Sequence, residues 1–325
     1  MHLVGVDMGG THLRVAIADA NGQIQIQRRI TTDGHLGPEG VMDRLADCIA
    51  EASHSLDDSA TIDCIGVGVP GLVDADSGTI RFLPNLPTQW RDVPMGIELG
   101  TRLDAEVRLM NDARMATLGE WNFGHGAGLS SGTMVFLSLG TGVGGGVVVD
   151  GRLRLGPVGA AGEIGHQTVV ADGPRCGCGN HGCLEAVAAG PAIVRAALNR
   201  IRSGQAPELS TWVESGVESI HPGRIAEAAA TVPAMHDVLT EAFRWIGIGL
   251  ANAVSMLHPD LVVVGGGVAA IPWDWETVVR SEIERRVRMF DFDASRVVRS
   301  KLGDDAGLHG ALALAMRPAT GHLSA

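Results

Sequence analysis

Three cysteines and two histidines stand close together in the middle of the chain, with the spacing of metal ligands. Cys176, Cys178 and Cys183 lie in a glycine-rich segment, with His166 before it and His181 inside it. Three thiolates and one imidazole form a common tetrahedral set for a structural zinc ion. The alternative is a loop of reduced, unligated thiols. We predict zinc, because a cytoplasmic chain would not join these thiols as disulfides, and both histidines are candidates for the fourth ligand.

Two turns of glycine and threonine separate pairs of predicted strands, and both could hold phosphate. They are Asp7 to Thr11 and Ser138 to Gly142. Backbone N–H groups of such turns can face an anion, and the hydroxyls of Thr11 and Thr141 can add to them. Asp7 could hold Mg²⁺ through water, since this ion keeps several waters and takes few carboxylates. One such turn is explained by an ordinary glycine hairpin, but two with the same chemistry favour phosphate binding.

The second turn also spells the glycine fingerprint of dinucleotide-binding proteins, from Gly140 to Gly145. That fingerprint requires a helix after the glycines, whereas Val147 to Val149 predicts a strand. We therefore predict a hairpin, which argues against a dehydrogenase. The sequence also has no Gly-Lys-Ser/Thr segment of the Walker type.

Three further segments could carry polar contacts to a ligand. Asn111-Asp112 follows a predicted strand and opens a predicted helix; from these residues alone, a helix cap is the simpler interpretation of the aspartate. Pro84 to Pro87, together with Trp90, is predicted as a proline-fixed loop that carries Asn85. Leu261 to Gly267 is an apolar strand that runs into three glycines.

The elements that must position these residues alternate between strands and helices. The predicted strands are Leu3 to Asp7, Leu13 to Ala18, Gln23 to Ile30, Ile62 to Val69, Val107 to Met110, Thr133 to Leu139, Gly146 to Val149 and Leu261 to Val264. The predicted helices are Pro38 to Ser53, Ala113 to Trp121, Pro191 to Ile201, Pro233 to Leu257, Trp275 to Val287 and Asp305 to Met316. Ser203 to Gly223 is predicted as a loose connection. The recurrence of strand, Gly/Thr turn and strand predicts two similar α/β halves with a cleft between them.

Composition narrows the class of protein. The 325 residues are 45% hydrophobic and carry a formal net charge of −12. An acidic surface disfavours nucleic acids and anionic membranes. The first residues lack the basic and apolar regions of a signal peptide, and no apolar run reaches the length of a membrane span. We expect a cytoplasmic protein that binds neither nucleic acid nor membrane.

The segment Leu3 to Thr11 resembles the first phosphate motif of the actin-like sugar kinases, and more narrowly that of the ROK family. The resemblance runs from about Leu3 to about Ala315 and includes Asn111-Asp112 and Gly162 to His166. It implies an ATP-dependent kinase that phosphorylates a hexose hydroxyl, the 6-hydroxyl, with Asp112 as the catalytic base.

The same resemblance implies an α/β fold of the actin-like ATPase (ribonuclease H-like) type, with two domains, an interdomain cleft and a structural zinc loop. We expect a small domain of residues 1–113 plus 305–325 and a large domain of residues 114–304. The large domain would hold the zinc loop and nucleotide-binding elements. ATP, Mg²⁺ and structural Zn²⁺ are the expected cofactors.

The family motifs assign further roles to matching positions of this chain. The implied sugar contacts are Gly71, Asn85, Asn111, Asp112, Glu163, His166 and Glu185. The implied nucleotide contacts are Asp7, Gly9, Gly10, Thr11, Thr141, Gly142, Gly265, Gly266 and Gly267. The family signature ends on His166, so the implied zinc ligands are His166, Cys176, Cys178 and Cys183.

The expected substrate is glucose, and N-acetylmannosamine, N-acetylglucosamine or allose is the alternative. Allose is included because Thr11-His12 and Arg14 resemble the allose kinases, although these residues are expected to lie away from the sugar. A non-catalytic sugar-binding protein is the alternative of another class. The family's transcriptional repressors carry a helix-turn-helix ahead of the first motif, for which we expect no room before Leu3. The family also implies a homodimer or homotetramer.

Overall fold

The structure is a computed structural model that describes residues 2–56, 61–83, 85–214, 216 and 219–316. Its strands are β1 (His2–Met8), β2 (His12–Ala18), β3 (Ile24–Thr31), β4 (Ile62–Val69), β5 (Leu72–Asp74), β6 (Thr79–Leu83), β7 (Trp90–Val93), β8 (Glu106–Asn111), β9 (Met134–Leu139), β10 (Val143–Val149), β11 (Arg152–Arg154), β12 (Leu261–Gly265) and β13 (Val297–Arg299). Its helices are α1 (Gly37–His54), α2 (Met95–Leu103), α3 (Asp112–Asn122), α4 (Leu184–Ala188), α5 (Gly190–Arg202), α6 (Ser210–Glu214), α7 (Pro222–Ala229), α8 (Pro233–Leu257), α9 (Trp275–Arg286) and α10 (Ala306–Ala315).

The first five-stranded sheet has the order β3-β2-β1-β4-β8. Strands β1, β2 and β3 form an antiparallel meander, and β4 and β8 join it in parallel. The strands β1 and β4 are almost continuously buried, because α1 packs on one face of the sheet and α10 on the other. Burial on both faces explains why these strands lack polar alternation in the sequence.

Helix α10 lies close to its neighbours because glycines line the contact. A Cβ atom on Gly66 of β4 would stand 2.1 Å from the Ala311 carbonyl oxygen, and one on Gly310 would stand 1.8 Å from that of Met115 in α3. Neither position has room for a side chain. The close packing sets α3 and the start of α10 at the end of the first sheet where β1 and β8 terminate.

A three-stranded antiparallel sheet of order β5-β6-β7 follows β4. This sheet was not predicted from the sequence, where Trp90 was expected in a proline-fixed loop. That placement was wrong, since Trp90 begins β7 and is buried in the core beneath the first sheet. Pro84 of the predicted loop lies outside the described residues.

The second five-stranded sheet has the order β11-β10-β9-β12-β13. It repeats the plan of the first, with a hairpin partner on one side of β9 and the parallel strands β12 and β13 on the other. Its core is formed with α5, α7, α8 and α9. The predicted internal repeat is therefore present in the sheet order.

The predicted loose connection from Ser203 to Gly223 contains the short helix α6 and the first two residues of α7. Trp212 and Ile220 are buried in the second core. Two apolar anchors hold a segment whose composition alone indicated a loop.

The chain divides into two compact units. One comprises residues 1–131, 146–162 and 305–325, and the other comprises residues 132–145 and 163–304. Helix α3 belongs to the first unit. The domain boundary at 113/114 and the interdomain cleft stay predictions. Within the described residues, no helix has the length and apolar character to cross a bilayer.

Candidate active site

The predicted pair Asn111-Asp112 lies at the junction of β8 and α3, in the first unit. Asn111 ends the strand in extended conformation and caps the helix, with its side-chain oxygen accepting from the N–H groups of Ala113 and Arg114. The cap is therefore Asn111, and not the neighbouring Asp112. Asp112 occupies the first helical position, where the partial positive charge of the helix N-terminus favours an anion. Its Oδ2 takes no part in capping the helix.

The two carboxylate oxygens of Asp112 have different surroundings. Oδ1 accepts hydrogen bonds from Ala113 N at 2.8 Å and Asn111 Nδ2 at 3.0 Å. Within the described part of the chain, Oδ2 has no hydrogen-bond donor. One oxygen thus fixes the orientation of the group, and the other is available to accept a proton.

Burial raises the pKa of Asp112 to about 6, and the negative charge of Asp7 raises it further, whereas the Ala113 N–H, the Arg114 charge and the Asn111 amide act in the opposite direction. A carboxylate with such a pKa is ionised at neutral pH. It is also a stronger base than an ordinary aspartate, which suits proton abstraction.

Asn111, which the sequence analysis assigned to the sugar, is fully engaged with protein. Its amide nitrogen donates to the Gly71 carbonyl at 3.1 Å as well as to Asp112. Its oxygen accepts from two backbone N–H groups and the Arg114 guanidinium. These contacts make Asn111 a residue that positions Asp112, and direct sugar contact by Asn111 stays a prediction.

The first phosphate turn lies at the end of β1, in the same unit as Asp112. Asp7 Oδ2 accepts from Arg14 Nη2 at 2.8 Å and Arg14 Nε at 3.2 Å. Arg14 Nη1 also donates to Asp305 at the start of α10, at 2.9 Å. Both donors fall on Oδ2 of Asp7, so Oδ1 remains a candidate to face a hydrated cation.

The backbone of the first turn is closed by local hydrogen bonds. Gly9 N donates to the His12 carbonyl at 2.9 Å, and the Thr32 hydroxyl donates to the Gly9 carbonyl at 2.7 Å. Gly10 and Thr11 are exposed at the tip. A Cβ on Gly10 would stand 3.7 Å from the Asn85 carbonyl oxygen, so the structure brings the predicted sugar residue Asn85 beside this turn.

Gly71 follows β4 in a tight turn. A Cβ there would stand 2.4 Å from the Phe82 carbonyl oxygen, which accounts for glycine by sterics alone. Its carbonyl receives the Asn111 amide. Gly71 thus supports Asn111, and through it Asp112, by its backbone.

The second phosphate turn joins β9 and β10, as the sequence predicted, with a strand and not a helix after the glycines. Gly140 N donates to the Gly142 carbonyl at 2.9 Å, and the Gly140 carbonyl accepts from Gly190 N at 2.9 Å. Val143 N donates to Oε2 of Glu185 at 3.0 Å. Thr141 is exposed at the tip.

The cysteine and histidine side chains come together as predicted. The ligand atoms of His166, Cys176, Cys178 and Cys183 all lie within 4.8 Å of one another. The Sγ atoms of Cys178 and Cys183 are 3.7 Å apart, and Cys176 Sγ is 3.6 Å from His166 Nδ1. Tetrahedral zinc with bonds of about 2.3 Å to sulfur and about 2.0 Å to nitrogen would separate its ligands by about 3.8 and 3.5 Å. The donor set therefore fits the ion, with Nδ1 as the histidine ligand.

His181, the other candidate, does not belong to this group. It pairs through its backbone with Arg175 across the glycine-rich loop, and Thr168 pairs in the same way with Cys183. These two bridges hold the loop as a knuckle around the four ligand atoms.

Two acidic residues flank the metal group. Glu163 Oε2 lies 3.8 Å from His166 Nε2, the ring nitrogen that faces away from the thiols. Glu185 Oε1 lies 3.5 Å from Cys176 Sγ, while its other oxygen receives the Val143 N–H. Glu185 thus joins the cysteine knuckle to the second phosphate turn, a contact that the sequence analysis did not foresee.

A cavity of about 570 Å³ in the second unit opens beside this turn. Apolar and glycine residues dominate its lining, which is formed by Gly140, Thr141, Gly190, Pro191, Val194, Ile220, His221, Pro222, Gly223, Gly267, Val268, Ala270, Ile271 and Pro272. Of the three glycines predicted for the nucleotide, Gly267 lines the cavity. Gly266 has a φ of +86° and abuts the Leu139 carbonyl, so it makes the turn.

Arg299 supports the cavity wall formed by residues 270–272 through the carbonyls of Ala269 and Ile271. Its guanidinium pairs with both carboxylate oxygens of Glu276 at 2.9 Å and donates to the Ala269 carbonyl. The Trp275 indole donates to the same carbonyl at 2.8 Å. His221 caps α7 through Nδ1, with Arg224 N as the donor. Sequence reasoning missed Arg299 and His221, because no local motif marks either residue.

Two sheets of the same order, each with a Gly/Thr turn after its central strand, define an α/β fold of the actin-like ATPase class. The first unit contains the carboxylate of Asp112, whose pKa is raised, and the second unit contains the apolar cavity beside Thr141.

Comparison with known proteins identifies the family. The ROK family model matches residues 3–317. The chain is 33% identical to the glucokinase of Streptomyces coelicolor, over 97% of this chain and 98% of that protein. It is 34% identical to a ROK family glucokinase from Streptomyces griseus, solved with glucose and AMPPNP, with a TM-score of 0.77 over 97% of this chain and 99% of that one. The chain belongs to the ROK family.

The family is not uniform in activity. A xylose repressor of Caldicellulosiruptor bescii is 28% identical, over 96% of this chain and 77% of the repressor. The activity of this chain must therefore be argued from its site.

Proposed function

We propose that this protein is an ATP-dependent hexokinase that transfers the γ-phosphoryl group of ATP to the 6-hydroxyl of a hexose. The observation that carries the proposal is the geometry of Asp112, whose Oδ1 is fixed by two donors and whose Oδ2 is open. Its pKa of about 6 makes it a suitable general base.

The step is an in-line displacement. Asp112 Oδ2 accepts the hydroxyl proton as the sugar oxygen forms its bond to the γ-phosphorus, and the bond from that phosphorus to the β,γ-bridging oxygen breaks. The products are a hexose phosphate and ADP. The protein chiefly supplies alignment and charge neutralisation, because phosphoryl transfer needs little covalent help.

The nucleotide side of the proposal rests on the second unit. The adenosine would occupy the cavity beside Gly267, and the N–H groups of the Gly/Thr turns would face the phosphates. Mg²⁺ would enter as part of the substrate, Mg-ATP, and would neutralise phosphate charge. Asp7 would hold it through water from Oδ1, the oxygen that Arg14 does not occupy.

We place the hexose against Asp112 with contacts from Asn85, Glu163, His166 and Glu185. The four side chains offer hydrogen-bond donors and acceptors of the type that recognise hydroxyls. Glucose is the proposed substrate, supported by the two Streptomyces glucokinases. N-acetylglucosamine, N-acetylmannosamine and allose are the alternatives, because discrimination between epimers depends on single hydrogen bonds.

A structural zinc ion held by His166, Cys176, Cys178 and Cys183 completes the proposal. The role of this ion would be structural, namely to fix the loop, because four protein ligands leave no open position for a reacting molecule. His166 would bind through Nδ1 and present Nε2 toward Glu163. A homodimer or homotetramer and a cytoplasmic location, both expected from the sequence, stay predictions.

The test is an ADP-release assay with Mg-ATP and a panel of glucose, mannose, fructose, allose, N-acetylglucosamine and N-acetylmannosamine. Preferred turnover of glucose, lost in Asp112→Asn, is the expected result. Preference for another hexose would correct the substrate alone. No turnover on any sugar, together with sugar binding by calorimetry, would overturn the kinase in favour of a non-catalytic sugar-binding protein.

A further inference from the structure

A buried arginine lies directly behind the proposed catalytic base. Arg114 is the third residue of α3, and its side chain is 1% exposed. Its Nε donates to the Ala161 carbonyl at 3.1 Å, and its Nη1 donates to Asn111 Oδ1 at 3.1 Å. Burying a guanidinium is costly unless its donors are used, and these two contacts satisfy part of that requirement.

The contact with Asn111 reinforces the orientation of that amide. The amide oxygen receives three donors, two backbone N–H groups and the Arg114 guanidinium. An amide turned over would place its N–H₂ against all three. The amide nitrogen must therefore face Gly71 and Asp112, where it donates to Oδ1 of the base. Arg114 thus acts on Asp112 through Asn111.

Charge supports the same conclusion. Burial and the carboxylate of Asp7 on β1, itself paired with Arg14, favour the protonated form of Asp112. The guanidinium of Arg114 on α3 favours the ionised form. Without this cation, the ionised base would face Asp7 with less compensation, and more of it would be protonated at neutral pH.

We propose that Arg114 is a positioning residue for the general base: it locks the Asn111 amide that orients Asp112, and its charge keeps Asp112 ionised. This inference rests on the proposed kinase function. Arg114 also links Asn111 to the segment around Ala161.

The experiment compares Arg114→Met and Arg114→Lys with wild type, using the pH dependence of kcat/KM, the separate values of kcat and KM for ATP, and thermal unfolding. Arg108→Met is the matched control. Arg108 also belongs to the first unit, pairs with Glu106 and donates to the Leu314 carbonyl, but it makes no contact with Asn111 or Asp112 among the described residues.

For Arg114→Met we expect kcat to fall by about 30-fold, because a small misplacement of a catalytic group is costly, with KM for ATP unchanged. Its acid limb should move upward by about one pH unit, as expected when a nearby cation is lost. Arg114→Lys keeps the positive charge but loses the planar set of guanidinium donors. The acid limb of its pH profile should therefore stay in place while kcat falls.

An acid limb at the wild-type position in Arg114→Met, with a loss of kcat no larger than in Arg108→Met, would overturn the inference and leave the kinase proposal intact. If Arg114→Met does not fold, the kcat of Arg114→Lys decides, and wild-type turnover there refutes the positioning role. Failure of both variants to fold would assign Arg114 to stability alone. A wild type inactive on every sugar overturns the kinase proposal and this inference together.

Discussion

The two phosphate turns are equivalent elements of similar sheets, yet different interactions stabilise them. The turn after β1 carries its own carboxylate, Asp7, which is held by Arg14 from the adjacent strand and through it by Asp305. The turn after β9 has no charged residue of its own. It receives a carboxylate from Glu185, more than 40 positions away, and that residue also contacts the cysteine knuckle.

This difference indicates that the first unit carries the groups proposed for the reaction, whereas the second carries the cavity and the candidate metal ligands that support its turn. The first unit contains Asp112, which we propose as the base, and Asp7, and hydrogen bonds within that unit hold both carboxylates. The second unit contains an apolar cavity and a turn that Glu185 connects to the group of candidate metal ligands. We expect damage to the first unit to reduce kcat with little loss of fold, and damage to the knuckle to reduce stability and activity together.

The largest effect should follow removal of the base. In Asp112→Asn we expect kcat to fall by about 10³-fold, within the range that general-base catalysis contributes, with the unfolding temperature retained. Asp112→Glu should also be badly impaired, because its carboxylate would extend one methylene too far. Steady-state kinetics test both, and Asp43→Asn, at an exposed position of α1, is the control. Near wild-type turnover in Asp112→Glu would count against the assigned geometry.

Metal removal should break the second unit. We expect about one zinc per chain by elemental analysis, and chelation should lower the unfolding temperature and reduce turnover by about 100-fold, since metal-site defects commonly cost 10- to 100-fold. Cys178→Ser should reproduce both losses, whereas Cys48→Ala, in α1 of the first unit, should not change metal content. A folded, metal-free protein with full activity would refute the structural zinc site.

The pH dependence should report the first unit alone. Because Asp112 acts in its ionised form and burial raises its pKa to about 6, activity should be on a plateau above that pH and fall below it. At pH 5 we expect kcat/KM about tenfold below the plateau, as for a single essential base. Circular dichroism at pH 5 checks that the fold persists. A profile flat down to pH 4 would exclude Asp112 as the base.

The smallest effect should come from the residue that connects the knuckle to the second turn. In Glu185→Gln the Val143 N–H loses a charged acceptor, and replacing a charge-assisted hydrogen bond by a neutral one costs about 1 kcal/mol, or about fivefold. We expect that increase in KM for ATP if Glu185 supports the turn. A rise confined to KM for the sugar would assign Glu185 to the hexose instead.

Much of this architecture is visible in local sequence. The apolar runs predicted β1, β4, β9 and β12 because parallel strands are buried on both faces. The valines after Gly145 excluded a dinucleotide site, and the structure confirms a strand there. The three-stranded sheet β5-β6-β7 was missed, since its strands are three to five residues long and give little periodic signal.

The sequence by itself determined the family, the repeated strand and turn, the cysteine and histidine spacing and the Asn-Asp pair, because each is a local pattern of residue types. Only the tertiary structure decided that Asn111 and not Asp112 caps α3, that Arg114 lies behind the base, and that Glu185 reaches Val143. These contacts depend on burial and on backbone segments brought together by folding. No spacing along the chain encodes which oxygen of a carboxylate is bonded and which is left open.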